Sequence, residues 1–244
     1  MSDQLSLDSI RSVLTRLEET IIFGLIERAQ FRQNRAIYRR GEIWRELEGE
    51  SLVGFLLHES EKSHAKVRRY TSPDEHPFFH DLPQPILPDL DYENPLQPNG
   101  ININARIREA YEGEIIPFVC EPGDDRQWGS SSVCDVANLQ NLSKRIHYGK
   151  FVAESKYRLQ REQLWPLVRR GDAAALMDAI TDAGVEQKVL DRVYRKTVTY
   201  AAEFEGSSCG HKINPEAVRE IYRRWIIPLN KEVQVQYLLE RVQD

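Results

Sequence analysis

Three cysteines in 244 residues, Cys120, Cys134 and Cys209, are odd in number and show no CxxC spacing. That excludes a disulfide framework or a zinc knuckle and fits a reducing compartment. No apolar run is long enough to cross a bilayer. The N-terminus MSDQLSLDSIRSVL has neither a charged n-region ahead of an apolar core nor a long Arg/Ser-rich transit pattern, so the chain reads as cytosolic, with no membrane partner. Positive charge is not in excess either. Thirty-three Lys and Arg face 38 Asp and Glu, a net charge of -5, which argues against nucleic acid as a partner. The sequence has no GxGxxG, P-loop, GxSxG or HExxH motif. His76 and His80 have helical metal spacing but lie in a proline-rich segment, and Asp124-Asp125 lacks the third carboxylate and helical setting of a Mg²⁺ site. An enzyme built on this chain would work without metal, cofactor or covalent nucleophile, by positioning and electrostatics. Period-2 strands and internal repeats are also missing, so the class is all-α.

What is present is helical periodicity. Leu7, Ile10, Leu14, Leu17, Ile21, Leu25 and Phe31 recur at three- or four-residue steps and predict a helix over 7–31. Further helices are expected over 51–70, 103–119, 133–163, 165–170, 173–201 (broken near Asp182) and 215–241. Residues 120–132 read as a loop with Pro122-Gly123 and Gly129. Seven of the twelve prolines fall in 73–100, a long connection. Its Phe78, Phe79, Ile86, Leu87, Leu90 and Tyr92 suggest that it lies packed on the protein. The expected organisation is one multi-helix domain over 1–244.

Within LSKRIHYGKFVAESK, Arg145 and Lys156 stand eleven residues apart, about three helical turns. On one continuous helix both point to the same side, roughly 16 Å apart along the axis, and could clasp a small dianion. Other polar residues also border apolar stripes. Asp182 and Glu186 sit one turn apart beside Val185, Val189, Val193 and Thr197. Asn230 and Gln234 sit one turn apart beside Ile226, Ile227, Val233, Tyr237 and Leu238. Arg11 borders Ile10 and Leu14. Buried polar groups are costly unless partnered. Two readings stay open: these groups pair with each other as a structural network, or they line a common polar cavity.

Four segments spread along the chain carry a resemblance: IRSVLTRLEETIIFGLIERAQF from Ile10, HAKVRRYTSPDEHPFF from His64, LQNLSKRIHYGKFVAESKY from Leu139 and WIIPLNKEVQVQYLLERV from Trp225. The sequence resembles the eukaryotic-type, all-helical chorismate mutases of fungi and plants. The resemblance implies a homodimeric helical bundle that converts chorismate to prephenate on the route to phenylalanine and tyrosine, without a cofactor. It implies catalytic roles for Arg11, Arg145, Lys156, Glu186 and Gln234, and substrate contacts at Asp182 and Asn230. The small bacterial helical mutases place an Asp-x-x-x-Glu in the same relation. Asn230 stands where the family's best-known members have threonine. Gln234 replaces a glutamate of the yeast-type enzyme and matches plant and bacterial relatives.

The resemblance also implies an effector region around 64–72 and 123–134, with Arg68, Arg69, Gly129 and Ser130 binding tyrosine or tryptophan. Val133 and Asn214 depart from the threonines of regulated members, which predicts weak tyrosine inhibition at most, because Val133 cannot hydrogen-bond a phenol. A catalytically silent interaction module on the same scaffold would be expected to have lost Arg145, Lys156 or Glu186, and all three are present. A secreted mutase would need a signal peptide.

Overall fold

The computed structural model describes residues 5–43, 49–91, 93–203 and 213–241. Tyr92 and Cys209 lie outside them. Eleven α-helices are defined among these residues: α1 (Leu7–Ala29), α2 (Leu52–Lys66), α3 (Asn104–Ala110), α4 (Ile116–Val119), α5 (Trp128–His147), α6 (Gly149–Leu159), α7 (Arg161–Arg170), α8 (Ala173–Ile180), α9 (Ala183–Glu203), α10 (Pro215–Ile221) and α11 (Ile227–Glu240). No described helix is long and apolar enough to cross a membrane. The bundle centres on α5, which packs on α1, α2 and α11, while α6 lies along α11 and α9 lies along α10 and α1. One apolar cluster runs through it, from Ile22 and Leu25 through Leu139 and Ile146 to Val233 and Leu238.

Local chemistry sets the helix starts. Ser6, Ser51 and Asp172 accept the backbone N–H of Ser9, Gly54 and Ala175, satisfying donors that a helix N-terminus leaves free. Asp182 does the same for Val185 at 3.0 Å, which explains the break expected near it. Two π-turns, Tyr111–Ile115 and Tyr222–Ile226, each run directly into an Ile-Ile-Pro sequence. Pro117 and Pro228 have no N–H and would crowd the carbonyl four residues back, so the widened turn lets the helix continue.

Three sequence expectations change. Residues 128–132 are not loop: α5 begins at Trp128, because Asp124 and Asp125 fold the preceding turn by accepting N–H groups of Arg126 and Gln127, and Asp124 also takes the Trp128 indole N–H. That turn accounts for the acidic pair. Residues 133–163 are not one helix. The ladder is interrupted at Tyr148, where Asn230 on α11 donates its amide to the carbonyls of Ile146 (2.9 Å) and Arg145 (3.3 Å). The close approach requires Gly149, whose added Cβ would stand 2.6 Å from the Asn230 carbonyl oxygen. The proline-rich connection is packed only in part. Phe78 and Phe79 rest on the core, their N–H groups held by the buried Glu61 carboxylate, whereas Ile86, Leu87 and Leu90 are exposed.

Candidate active site

The interruption at Tyr148 places Arg145 and Lys156 on separate helices, each with its own surroundings. Arg145 is 5% exposed on the last turn of α5. Its Nε has no hydrogen-bond partner, and no described carboxylate lies within ion-pair distance. Burial pulls its pKa below the usual arginine value, and the nearby Tyr222 and Glu18 offset this only in part. Tyr222, fully buried in the second π-turn, also has an unpartnered hydroxyl, and burial raises its pKa. The Glu18 carboxylate on α1 grips Arg192 of α9 through both oxygens, at 2.6 and 2.8 Å. A buried guanidinium without a counter-ion is expensive unless something supplies the charge.

Lys156 points to the α8–α9 junction, where its ammonium donates to the carbonyl of Ile180. Burial lowers its pKa, against which Asp182 and Glu186 act. Glu186 is half-buried on the first turn of α9 and pairs with Lys231 of α11 at 2.9 Å. Between these two groups runs α11. Gln234 is buried, donates to Asn230 at 2.9 Å, and leaves its own carbonyl oxygen without a partner. Asn230 uses both ends of its amide, on the α5 carbonyls and on Gln234. It therefore positions Arg145 and Gln234 through the chain itself.

Five of the seven predicted catalytic and substrate-contact residues sit on α5, α6, α9 and α11, and Asp182, exposed, caps the start of α9. Arg11 is the exception: it is exposed on the first turns of α1 and touches Asp8 at 3.3 Å. Sequence reading missed Lys231, Glu18, Arg192 and Tyr222. The only signal for them was a charge or a tyrosine at a helical step from an apolar residue, which a solvated surface also produces.

The effector candidates form a second group. Arg68 has a left-handed backbone (φ 68°) and donates to the carbonyl of Pro88. Arg69 binds Glu75 at 3.0 Å, Gln140 at 3.1 Å and the ring of His64. Gly129 and Ser130 are exposed in the first turn of α5, and Val133 one turn on is 62% exposed. Asn214 caps α10 by accepting the Glu216 N–H at 2.9 Å.

Among the described residues no group of three His, Cys, Asp or Glu could hold a metal. The structure defines an all-helical protein with a buried arginine, Arg145, that forms no ion pair with a described carboxylate. Residues 129–235 match the family model described as chorismate mutase type II. A chorismate mutase of Schizosaccharomyces pombe is 43% identical over 99% of this chain and 98% of its own length. The solved structure of the Aro7p chorismate mutase from Candida albicans, a complex with tryptophan, superposes with a TM-score of 0.92 at 39% identity, over 98% of this chain and 93% of that one. The structure of AtCM1 with tyrosine bound in an allosteric site gives 0.91 at 44% identity, over 99% and 98%. The chain belongs to the eukaryotic-type helical chorismate mutase family.

Proposed function

We propose that the chain catalyses the rearrangement of chorismate to prephenate with the residues of the α5–α6–α9–α11 cluster. The observation that carries this is Arg145, a buried cation with no carboxylate of its own beside an unpartnered tyrosine hydroxyl and an unpartnered glutamine oxygen. A dicarboxylate substrate supplies the missing charge.

The reaction is intramolecular: an ether C–O bond breaks as a C–C bond forms, and no proton is transferred. The enzyme must hold the enolpyruvyl arm over the ring and stabilise charge on the ether oxygen. Arg145 pairs with a carboxylate, where its planar fork fixes orientation. Arg11 reaches a second carboxylate by releasing Asp8, an exposed ion pair worth at most about 1 kcal/mol. Glu186 accepts the ring hydroxyl, with Asp182 and Lys231 placing it. Lys156 and the second amide proton of Gln234 donate to the ether oxygen. Confinement in a near-attack shape lowers the barrier by several kcal/mol. A donor aimed at developing charge contributes about 3–4 kcal/mol.

We further propose a homodimer and aromatic amino-acid effectors. Val67 and Ile86, the latter bonded to the Lys66 carbonyl, are exposed beside Arg68, an apolar rim suited to burial against a second copy. AtCM1 with tyrosine and the Candida albicans enzyme with tryptophan support an effector site. The described cysteines, Cys120 and Cys134, are free, which supports action in the cytosol. The test is loss of chorismate absorbance with purified protein, with acid conversion of the product to phenylpyruvate. Absence of turnover would refute the assignment.

A further inference from the structure

A second cation-rich cleft lies at the other end of the α6–α11 seam. It has a volume of about 410 Å³ and is lined by Tyr157, Arg158, Arg161, Trp165 and Arg241. That size falls within the range of small-molecule pockets, roughly 300–1,000 Å³. Beneath the cleft Glu154, fully buried, accepts from Arg158 at 2.6 Å and Tyr237 at 2.7 Å, and lies 3.5 Å from Arg241. Glu154 thus contacts two of the lining guanidinium groups, Arg158 and Arg241, and leaves Arg161 untouched. Arg161, at the start of α7, is exposed and forms no ion pair with a described carboxylate.

The walls are aromatic as well as cationic. The Arg241 guanidinium already covers Tyr157, 4.1 Å from the ring centre. Trp165, one turn along α7 from Arg161, is half-buried and offers its indole to the cleft. A ring stacked on Trp165 would carry a carboxylate within reach of Arg158 and Arg161, where forked pairing is favourable. The cleft is separate from the catalytic cluster, although Lys156 precedes Tyr157 in sequence. The Lys156 ammonium is turned to Ile180 on α8, while Tyr157 lines the cleft.

We propose that this cleft binds a single-ring aromatic carboxylate, with Trp165 as the stacking face and Arg158 and Arg161 as the anion contacts. The test is calorimetric titration of the full-length protein with 3-phenylpropanoate. The expected result is saturable binding that Arg161→Gln and Trp165→Leu each weaken at least fivefold and that Lys156→Ala leaves unchanged. Should Trp165→Leu fail to fold, Trp165→Phe takes its place and is expected to keep most of the affinity. Absence of binding at millimolar probe would overturn the proposal. So would loss of binding in Lys156→Ala with retention in Arg161→Gln, because the probe would then occupy the catalytic cluster. Inorganic phosphate competing as well as the probe's own carboxylate analogues would overturn the aromatic assignment.

Discussion

Arg28 and Arg145 are both buried arginines, each beside a buried tyrosine that opens a π-turn, and they have opposite surroundings. Arg28 is bonded at every nitrogen: to Asp135 at 2.7 Å, to the carbonyls of Phe31, Arg32 and Gln33, to Cys120 and to Tyr38. Tyr111 completes that group by donating to Asp135 at 2.8 Å. Burial works against the Arg28 charge, yet Asp135 beside it holds the pKa above the ordinary value. Arg145 has no such carboxylate, and the Tyr222 hydroxyl donates to nothing. The first arrangement is finished within the chain and fastens α1 to α5. The second has no ion pair among the described residues, and in the proposed mechanism the substrate's carboxylate takes that place. Burial of a charge alone does not separate a strut from a binding site; the partner count does.

The largest expected effect is on turnover. Lys156→Ala should lower kcat on chorismate by about two to three orders of magnitude, the effect of one donor to developing charge, with helical circular dichroism retained. Near-normal turnover would remove Lys156 from the mechanism. Lys156 must carry its proton, and burial has moved its pKa down, so activity should fall with rising alkalinity sooner than an ordinary lysine would dictate. On the acid side Gln234 has no proton to gain, and the rate should be nearly flat from mildly acidic pH to neutrality. A steep loss between pH 7 and 5, at constant fold, would contradict that role.

Next in size is the strut. Arg28→Met leaves Asp135 buried without its cation and should cost about 3–5 kcal/mol in urea unfolding. An unchanged midpoint would break the contrast between the two arginines.

A third effect concerns pH and stability. His76 and His147 stack at 4.2 Å in a buried cluster with Lys150, whose ammonium donates to His76 and to the Ile101 carbonyl. Burial holds the His76 pKa down to about 2 and that of His147 down to about 4. The unfolded chain takes up these protons near pH 6.5 and the folded chain does not. Stability is therefore fully present above pH 6.5 and declines below it, by up to about 1.4 kcal/mol per pH unit for each histidine. His76→Asn should reduce that slope. Denaturant midpoints from pH 7 to 5 that stay level in the parent protein would refute this. The smallest effect expected is inhibition by tyrosine, since Val133 offers no hydroxyl to a phenol. Strong inhibition at micromolar tyrosine in a steady-state assay would refute it.

The helices were legible because their apolar stripes recur at helical steps, and the break at Asp182 because an Asp that caps a helix is recognisable. The start of α5 was hidden, since Gly129 and three serines read as loop until Asp124 and Asp125 are seen folding the turn before it. The interruption at Tyr148 was equally hidden. It depends on Asn230, more than eighty residues away, and long-range insertion leaves no local pattern. The site residues on α5, α6, α9 and α11 were named mainly through the resemblance to a known family. Spacing alone supported Arg145 and Lys156, and for a reason the fold revises: they stand on two helices, not on one. Lys231, Glu18 and Tyr222 gave no separate signal, because a charge or tyrosine at a helical step reads the same whether it faces solvent or a buried guanidinium.

The most direct measurement is a pair of readings on Arg145→Met: chorismate turnover and the urea unfolding midpoint. Removing a buried cation that the chain itself leaves unpaired should abolish most turnover while leaving the midpoint unchanged or higher. Retained turnover, or a loss of stability like that of Arg28→Met, would show that Arg145 is a second strut and not the anchor for the substrate's carboxylate.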